Sequence, residues 1–216
     1  MIVAIDGPAG AGKSSAARAL AHRLGFRFLD TGAMYRAVAL AGLRRHVDFD
    51  DHDAVAQMAR QISIALDDDR VLLDGDDVTH EIRTLAVTSV THYPANNAAV
   101  REHLVELQRQ FAVGQNVVTE GRDQGTVVFP HAECKIFLTA SPRERARRRH
   151  LDLTDHGEHV TLEDVLADQN ERDLRDASRH VGPLKPAADA VTFNTDGLSA
   201  DEVVDRLEGL VRAKMA

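Results

Sequence analysis

Eight residues near the start of the chain, Gly7-Pro8-Ala9-Gly10-Ala11-Gly12-Lys13-Ser14, fit the spacing G-x-x-x-x-G-K-[ST] and limit what can be built around them. They follow the apolar run Ile2 to Ile5 directly and lead directly into a helix-forming stretch that begins at Lys13. Strand, glycine-rich turn and helix in that order make a phosphate-binding loop. The glycines let backbone N–H groups turn inward on phosphate oxygens, and the helix presents its positive N-terminal end. Lys13 is expected to reach the β- and γ-phosphates of a nucleoside triphosphate, and the Ser14 hydroxyl to meet Mg²⁺, with Gly7 through Ser15 forming the nucleotide-binding set. Where the phosphate goes is left open, because motors, GTPases and small-molecule kinases share this loop.

Beyond the loop, short β-branched runs alternate with longer amphipathic stretches, the pattern of helices packed on a mostly parallel sheet. Core strands are expected at Ile2 to Ile5, Arg27 to Leu29, Asn116 to Thr119, Lys135 to Leu138 and Ala190 to Phe193. Helical spacing of apolar residues marks 13–24, 33–45, 54–62, 98–112, 143–153, 162–175 and 200–214. The fold class is therefore α/β, a three-layer P-loop fold with a five-stranded parallel sheet. Ser199 and Glu202 form a capping box for the last helix. Ile62 to Leu66 and Arg70 to Gly75, around the acidic turn Asp67-Asp68-Asp69, read as a small antiparallel insertion. The segment Asp152 to Val160 reads as a mobile loop, with His150, His156 and His159 as solvated residues near it.

At 216 residues the chain is long enough for one well-buried domain, and its net charge of −8 excludes a basic nucleic-acid surface spread over the whole molecule. The single cysteine, Cys134, lies in an apolar run and is expected as an inert core thiol. No apolar run reaches the roughly 20 residues a membrane-spanning helix needs, and no secretory leader is recognisable, so a cytoplasmic location without membrane contact is expected. No H-E-x-x-H pattern or Cys/His cluster suggests zinc.

A phosphoryl acceptor that is itself a phosphate needs several arginines, because two polyanions must be held together against their repulsion. Candidates are Arg36, Arg101, Arg122, Arg172 and Arg179, each of which taken alone is as readily a solvated surface charge. Arg122 and Asp123 follow the third core strand, and Thr31 the second; ligands bind at such carboxyl ends in parallel sheets. Arg145, Arg148 and Arg149 share one helix face, either as solvated charges or as a lid that closes over the transferring group. Asp6, Asp30 and Glu120 are either water-mediated Mg²⁺ supports or plain strand-end residues.

Several of these stretches, taken with Leu29-Asp30-Thr31-Gly32-Ala33-Met34-Tyr35-Arg36, Glu81-Ile82-Arg83, Glu120-Gly121-Arg122-Asp123, Gly125 to Pro130 and the Arg172 to Arg179 run before Pro183-Leu184, resemble the bacterial cytidylate kinases over nearly the whole chain. The resemblance implies a kinase moving the γ-phosphoryl group of ATP to CMP or dCMP with Mg²⁺, acting as a monomer on small-molecule substrates. It implies a single domain 1–216 with core 1–60, 96–145 and 180–216, a monophosphate-binding insertion at about 61–95 and a lid at about 146–179. It also implies roles: Arg36, Arg122 and Arg179 on the monophosphate, Arg172 and Asp176 on the sugar and nearby phosphates, Thr31, Arg101 and Asp123 on the cytosine side, and Arg148 in the lid. Lys13, Arg148 and Arg172 would then be catalytic. The chain departs from the family pattern at His92 and Gln124, which replace a serine and an apolar residue, and at Thr31, which replaces a more frequent serine.

Rival readings are a kinase for another monophosphate or for a small hydroxy acid such as shikimate, and a nucleotide-responsive binding protein or switch GTPase. A hydroxyl acceptor would call for a base and fewer arginines, and no Asn-Lys-x-Asp guanine-reading motif is present.

Overall fold

A computed structural model describes every residue except 68, 69, 156 and 216. Asp68 and Asp69 of the expected acidic turn, and His156, thus lie outside the described residues. By internal packing the chain divides into one unit formed by Met1–Phe28 with Gln115–Ala216, and a second formed by Leu29–Gly114.

In the first unit, β1 (Ile2–Asp6) runs into the glycine-rich loop and α1 (Lys13–Leu24). β2 (Arg27–Asp30) begins at this unit's boundary, and Arg27 N–H donates to Asn116 O at 2.9 Å. The order of the five strands, with β6 (Val117–Gly121), β7 (Cys134–Thr139) and β8 (Val191–Asn194), is β2-β6-β1-β7-β8. β1 pairs in parallel with β6 and β7, and β7 with β8. The parallel core follows from its residues: Val3, Ile5, Val118, Ile136 and Leu138 are buried with no alternation to a wet face, as strands covered on both sides require. Ala17 and Leu20 of α1 and Val204, Leu207 and Val211 of α9 (Ala200–Met215) pack with these strands, each large side chain contributing about 1.5–3 kcal/mol by burial. Cys134 is buried in the same cluster, and burial pushes its thiol up, as expected of an inert core residue. The expected capping box of α9 is present: Ser199 Oγ donates to Glu202 Oε2 at 2.8 Å and accepts from Glu202 N at 3.3 Å.

α7 (Pro142–Asp155) pairs with α8 (Leu162–Ala177). Here the expected loop from Asp152 gives way to helix as far as Asp155. Arg149 pairs with Asp152 at 2.6 Å and Thr154 Oγ1 donates to His150 O at 2.8 Å, so the polar residues that suggested a loop sustain another turn. His150 Nε2 lies 3.0 Å from Val160 O and ties the following segment back, so His150 is not simply solvated.

In the second unit, α2 (Thr31–Arg44), α3 (His52–Gln61), α4 (Leu85–Val90), α5 (His92–Asn96) and α6 (Ala98–Ala112) surround buried Ala37, Val38, Val55, Met58, Ile82, Val87 and Leu104. The expected antiparallel insertion is present as β3 (Ile64–Asp67) and β4 (Arg70–Leu73), joined by a third strand, β5 (Asp76–Asp77), that the sequence pattern did not reveal. Two acidic residues after a glycine carry no strand periodicity; only pairing with Leu72 and Leu73 makes them one. Among the described residues, no helix is long and apolar enough to cross a membrane.

Candidate active site

The first unit's chemistry collects at the carboxyl ends of β1 and β6, because their register sets Ile5 beside Glu120 and Asp6 beside Gly121. The loop after β1 therefore opens next to the Glu120-Gly121-Arg122-Asp123 segment. Gly7 has no room for a side chain, since a Cβ there would lie 1.9 Å from Leu138 O. Replacing Gly7 by alanine is expected to lower stability by about 3 kcal/mol, measured as a fall in denaturation midpoint, because the obstacle is backbone.

Lys13 is buried and its Nζ donates to Pro8 O at 2.8 Å. Burial pushes its ammonium down to about 7; the positive charges of Arg122 and Arg172 push the same way, and Glu120 and Asp6 oppose them. Asp6 accepts from Gln124 N at 2.8 Å and from Gly125 N at 2.7 Å, so it organises the turn that leaves β6. Burial raises its carboxyl to about 6 against those two donors, with Asp123 adding to the rise. Ser14 Oγ donates to Glu120 Oε1 at 2.9 Å, and Ser15 Oγ donates to Gly12 O at 3.0 Å. Asp6 thus has a structural task of its own, and Glu120 supports the serine expected to meet the cation.

Arg122 and Arg179, expected on the monophosphate, both bond Asp176, which was expected nearer the sugar. Arg122 Nε donates to Asp176 Oδ2 at 2.7 Å, and Arg179 Nη2 donates to Asp176 Oδ1. Burial works against the Asp176 carboxylate, but Arg122, Arg179 and Arg172 outweigh it and hold its pKa below the ordinary range. Burial likewise opposes the charge on Arg122, and Asp176, Glu120 and Asp173 outweigh it and hold its pKa high. The result is a carboxylate bonded to two guanidinium groups, with the charge of Arg172 acting on it from farther off, and with Arg122 within electrostatic reach of Lys13 in the phosphate loop. Asp123 is buried beside this segment. Gln124 is fully buried and accepts from Thr119 Oγ1 at 2.8 Å, which satisfies this polar residue inside the core.

The three arginines of one helix face differ in what they do. Arg148 donates to Glu144 Oε1, Thr195 Oγ1 and Thr195 O at 2.8–2.9 Å, and its Nη1 lies 3.9 Å from where a Cβ on Gly12 would be. It is therefore held beside the phosphate loop by an anchor, Thr195, that helical spacing could not reveal. Arg145 is buried, and Arg149 is exposed and paired with Asp152, the bland role.

In the second unit, Asp30 caps α2 by accepting from Ala33 N at 2.8 Å, and Thr31 is buried as the first residue of that helix. Asp30 lies 3.5 Å from Arg36 Nη2 and 3.5 Å from Arg83 Nη2. Arg36 Nε is buried with no hydrogen-bond partner among the described residues. The sequence pattern gives Arg83 no partner of its own within Glu81-Ile82-Arg83; the fold pairs it with Asp30. Arg101 is buried, donates to Ala95 O at 3.3 Å and faces the Tyr35 ring at 5.6 Å. His92 Nδ1 lies 2.8 Å from Ser89 O, and its ring is 4.2 Å from that of Tyr93.

A hydroxyl and carboxylates are hard oxygen donors, which suits Mg²⁺. Among the described residues, no group of three or more His, Cys, Asp or Glu could hold a metal ion by itself.

Compared with known proteins, residues 3–213 match the cytidylate kinase family. A cytidylate kinase of Rhodopirellula baltica is 52% identical over 98% of this chain and 93% of its own length. One from Pelotomaculum thermopropionicum is 50% identical over 98% of this chain and 96% of its own. Among solved structures, an uncharacterised protein from Eubacterium ventriosum aligns with a TM-score of 0.54 at 11% identity over 99% of each chain, which speaks to the fold alone.

Proposed function

From the premise that this chain belongs to the cytidylate kinase family, we propose that it transfers the γ-phosphoryl group of ATP to CMP or dCMP, giving CDP or dCDP and ADP. The observation that carries this reading is the half-buried Arg122–Asp176–Arg179 cluster, with Arg122 within electrostatic reach of Lys13. A phosphate loop needs no second group of arginines unless another anion must be held close to the first. Asp176 keeps these guanidinium groups ordered for an incoming monophosphate.

The acceptor oxygen of CMP is already anionic, so in-line attack on the γ-phosphorus requires no general base. Catalysis is then positioning and charge stabilisation. Lys13 leaves Pro8 O for the β- and γ-phosphates, and their negative charge restores its ammonium. Arg148 and Arg172 stabilise charge on the transferring group, and Ser14, with Glu120 behind it, would hold Mg²⁺. When bound, Mg²⁺ neutralises and orients the donor phosphates. Gly7 through Ser15 form the ATP-binding loop.

We also assign Thr31, Arg36 and Arg101 to monophosphate recognition. The buried, unbonded Nε of Arg36 supports that role, because an anion would satisfy it. Residues of about 61–95 form the monophosphate-binding insertion and those of about 146–179 the lid, within a kinase that works as a cytoplasmic monomer. Asp123 reads cytosine: a carboxylate accepts from the exocyclic N4 amine, whereas uracil offers a carbonyl at that position.

The test is Mg²⁺-dependent ADP release with CMP, dCMP, UMP, AMP, GMP, dTMP and shikimate as separate acceptors, for this chain and for Asp123→Ala. CMP and dCMP are expected to lead UMP by about ten- to a hundredfold, and Asp123→Ala to erase most of that margin. A different leading acceptor would overturn the cytosine assignment, and turnover no higher than without acceptor would overturn the kinase reading.

A further inference from the structure

Arg145 has no place in the reaction described above, yet it is one of the most confined arginines in the molecule, 4% exposed. From α7 its Nε donates to Ala140 O at 3.0 Å and its Nη1 donates to Ala9 O, in the phosphate loop, at 2.9 Å. The same Nη1 lies 2.7 Å from Asp173 Oδ2 on α8. Asp173 Oδ1 is buried with no hydrogen-bond partner among the described residues, so the ion pair with Arg145, with Arg122 at longer range, offsets this carboxylate's burial. The loop is seated closely on this support. A Cβ on Gly10 would lie 3.1 Å from Gln169 Oε1 and 3.2 Å from both Arg145 Cβ and Arg145 O. Gln169 is itself held, its Nε2 donating to Pro142 O at 3.1 Å.

Peptide planarity turns this support into a statement about the loop's chemistry. In a trans peptide unit C=O and N–H point to opposite sides, so the direction of Ala9 O sets the direction of the Gly10 N–H. Gly10, at φ +74°, sits in the left-handed region, where glycine rotates freely and an unpinned peptide would sample both faces. We propose that Arg145, braced by Asp173, is a positioning residue for the phosphoryl donor: it draws the Ala9 carbonyl toward α7 and thereby turns the Gly10 N–H toward the donor phosphates. This inference rests on the kinase reading of the loop. It makes the α7–α8 pair a support for the loop that holds ATP. A lysine cannot replace the arginine, because one ammonium cannot reach Ala140 O, Ala9 O and Asp173 together as a rigid planar fork does.

The experiment compares the full chain with Arg145→Gln, Arg145→Lys and Asp173→Asn. The probe is inorganic tripolyphosphate, which carries the donor's phosphates without base or sugar; its binding is measured by calorimetry beside the KM values for ATP and CMP. Arg145→Gln is expected to bind tripolyphosphate about ten- to a hundredfold more weakly, with a matching rise in KM for ATP and none in KM for CMP. The amide resonance of Gly10 in the ligand-free protein is expected to move in every Arg145 variant. A folded variant that binds tripolyphosphate within a factor of about two of the parent chain overturns the proposal, as does an equal rise in both KM values, the mark of general loosening. Should Arg145→Gln fail to fold, Arg145→Lys and Asp173→Asn decide on the same readouts. Because tripolyphosphate has no base, the comparison holds even if the acceptor proves not to be CMP, and acceptor turnover reports separately on that reading.

Discussion

Replacing Lys13 by methionine is expected to reduce turnover of CMP by about 10²–10³-fold while the protein stays folded, because one preorganised donor to the transferring phosphoryl group is lost from a water-poor site. The pH dependence of stability should identify the same group. The Lys13 ammonium falls from an ordinary 10.5 to about 7 in the folded chain, first through burial and then through Arg122 and Arg172. Between those values the unfolded state binds the extra proton, so stability rises with pH across the window. The destabilisation is fully present below about 7. Denaturant midpoints measured from pH 7 upward should climb in the parent chain and climb less in Lys13→Met. Asp6 has the opposite sign in a lower window: its carboxyl rises from 3.8 to about 6, so stability falls as pH climbs through that interval. The two effects do not overlap. Above pH 7 the binding of ATP should take up protons as its phosphates restore the ammonium, seen as a buffer-dependent binding enthalpy, and Lys13→Met should abolish this uptake. Unchanged turnover in a folded Lys13→Met protein would remove Lys13 from the reaction.

Asp176→Ala should be the most damaging change outside the loop. It leaves Arg122 and Arg179 without the carboxylate that joins them and with Arg172 close by, a loss of about 3 kcal/mol for breaking a buried charge pair. The defect has a distinctive remedy: inorganic phosphate or CMP supplies the missing negative charge, so either should raise the variant's melting temperature more than that of the parent chain. Equal shifts in the two proteins would mean that the arginines do not face the acceptor phosphate. A simple packing defect would leave the variant unstable whatever anion is added.

How much of this was legible in the sequence varies by element. The loop, the core strands and the capping box of α9 could be read directly, since glycine spacing, apolar runs and Ser199 with Glu202 are local signals. β5 could not, because Asp76 and Asp77 become a strand only through pairing with β4. Nor could the extension of α7 to Asp155, where polar side chains hydrogen-bond within the helix instead of ending it. The face shared by Arg145, Arg148 and Arg149 could be read as a face and no further: spacing puts guanidinium groups side by side without saying which oxygen each will meet.

By itself, then, the sequence determined the parallel sheet, the phosphate loop and the expectation of an arginine-held second anion, because backbone conformation and burial pattern follow from near neighbours along the chain. Only the tertiary structure decided the partners. Arg122 meets Asp176 across 54 positions, Arg148 meets Thr195 across 47, and Arg145 meets Ala9 across 136. Those pairings are set by how β1, β6 and the α7–α8 pair come together, and no local pattern encodes a distance between segments that far apart in the chain. The physical reason is that a guanidinium on a flexible stem can serve as surface charge, staple or anion clamp with equal local propensity, and burial beside a particular carboxylate or carbonyl selects among them.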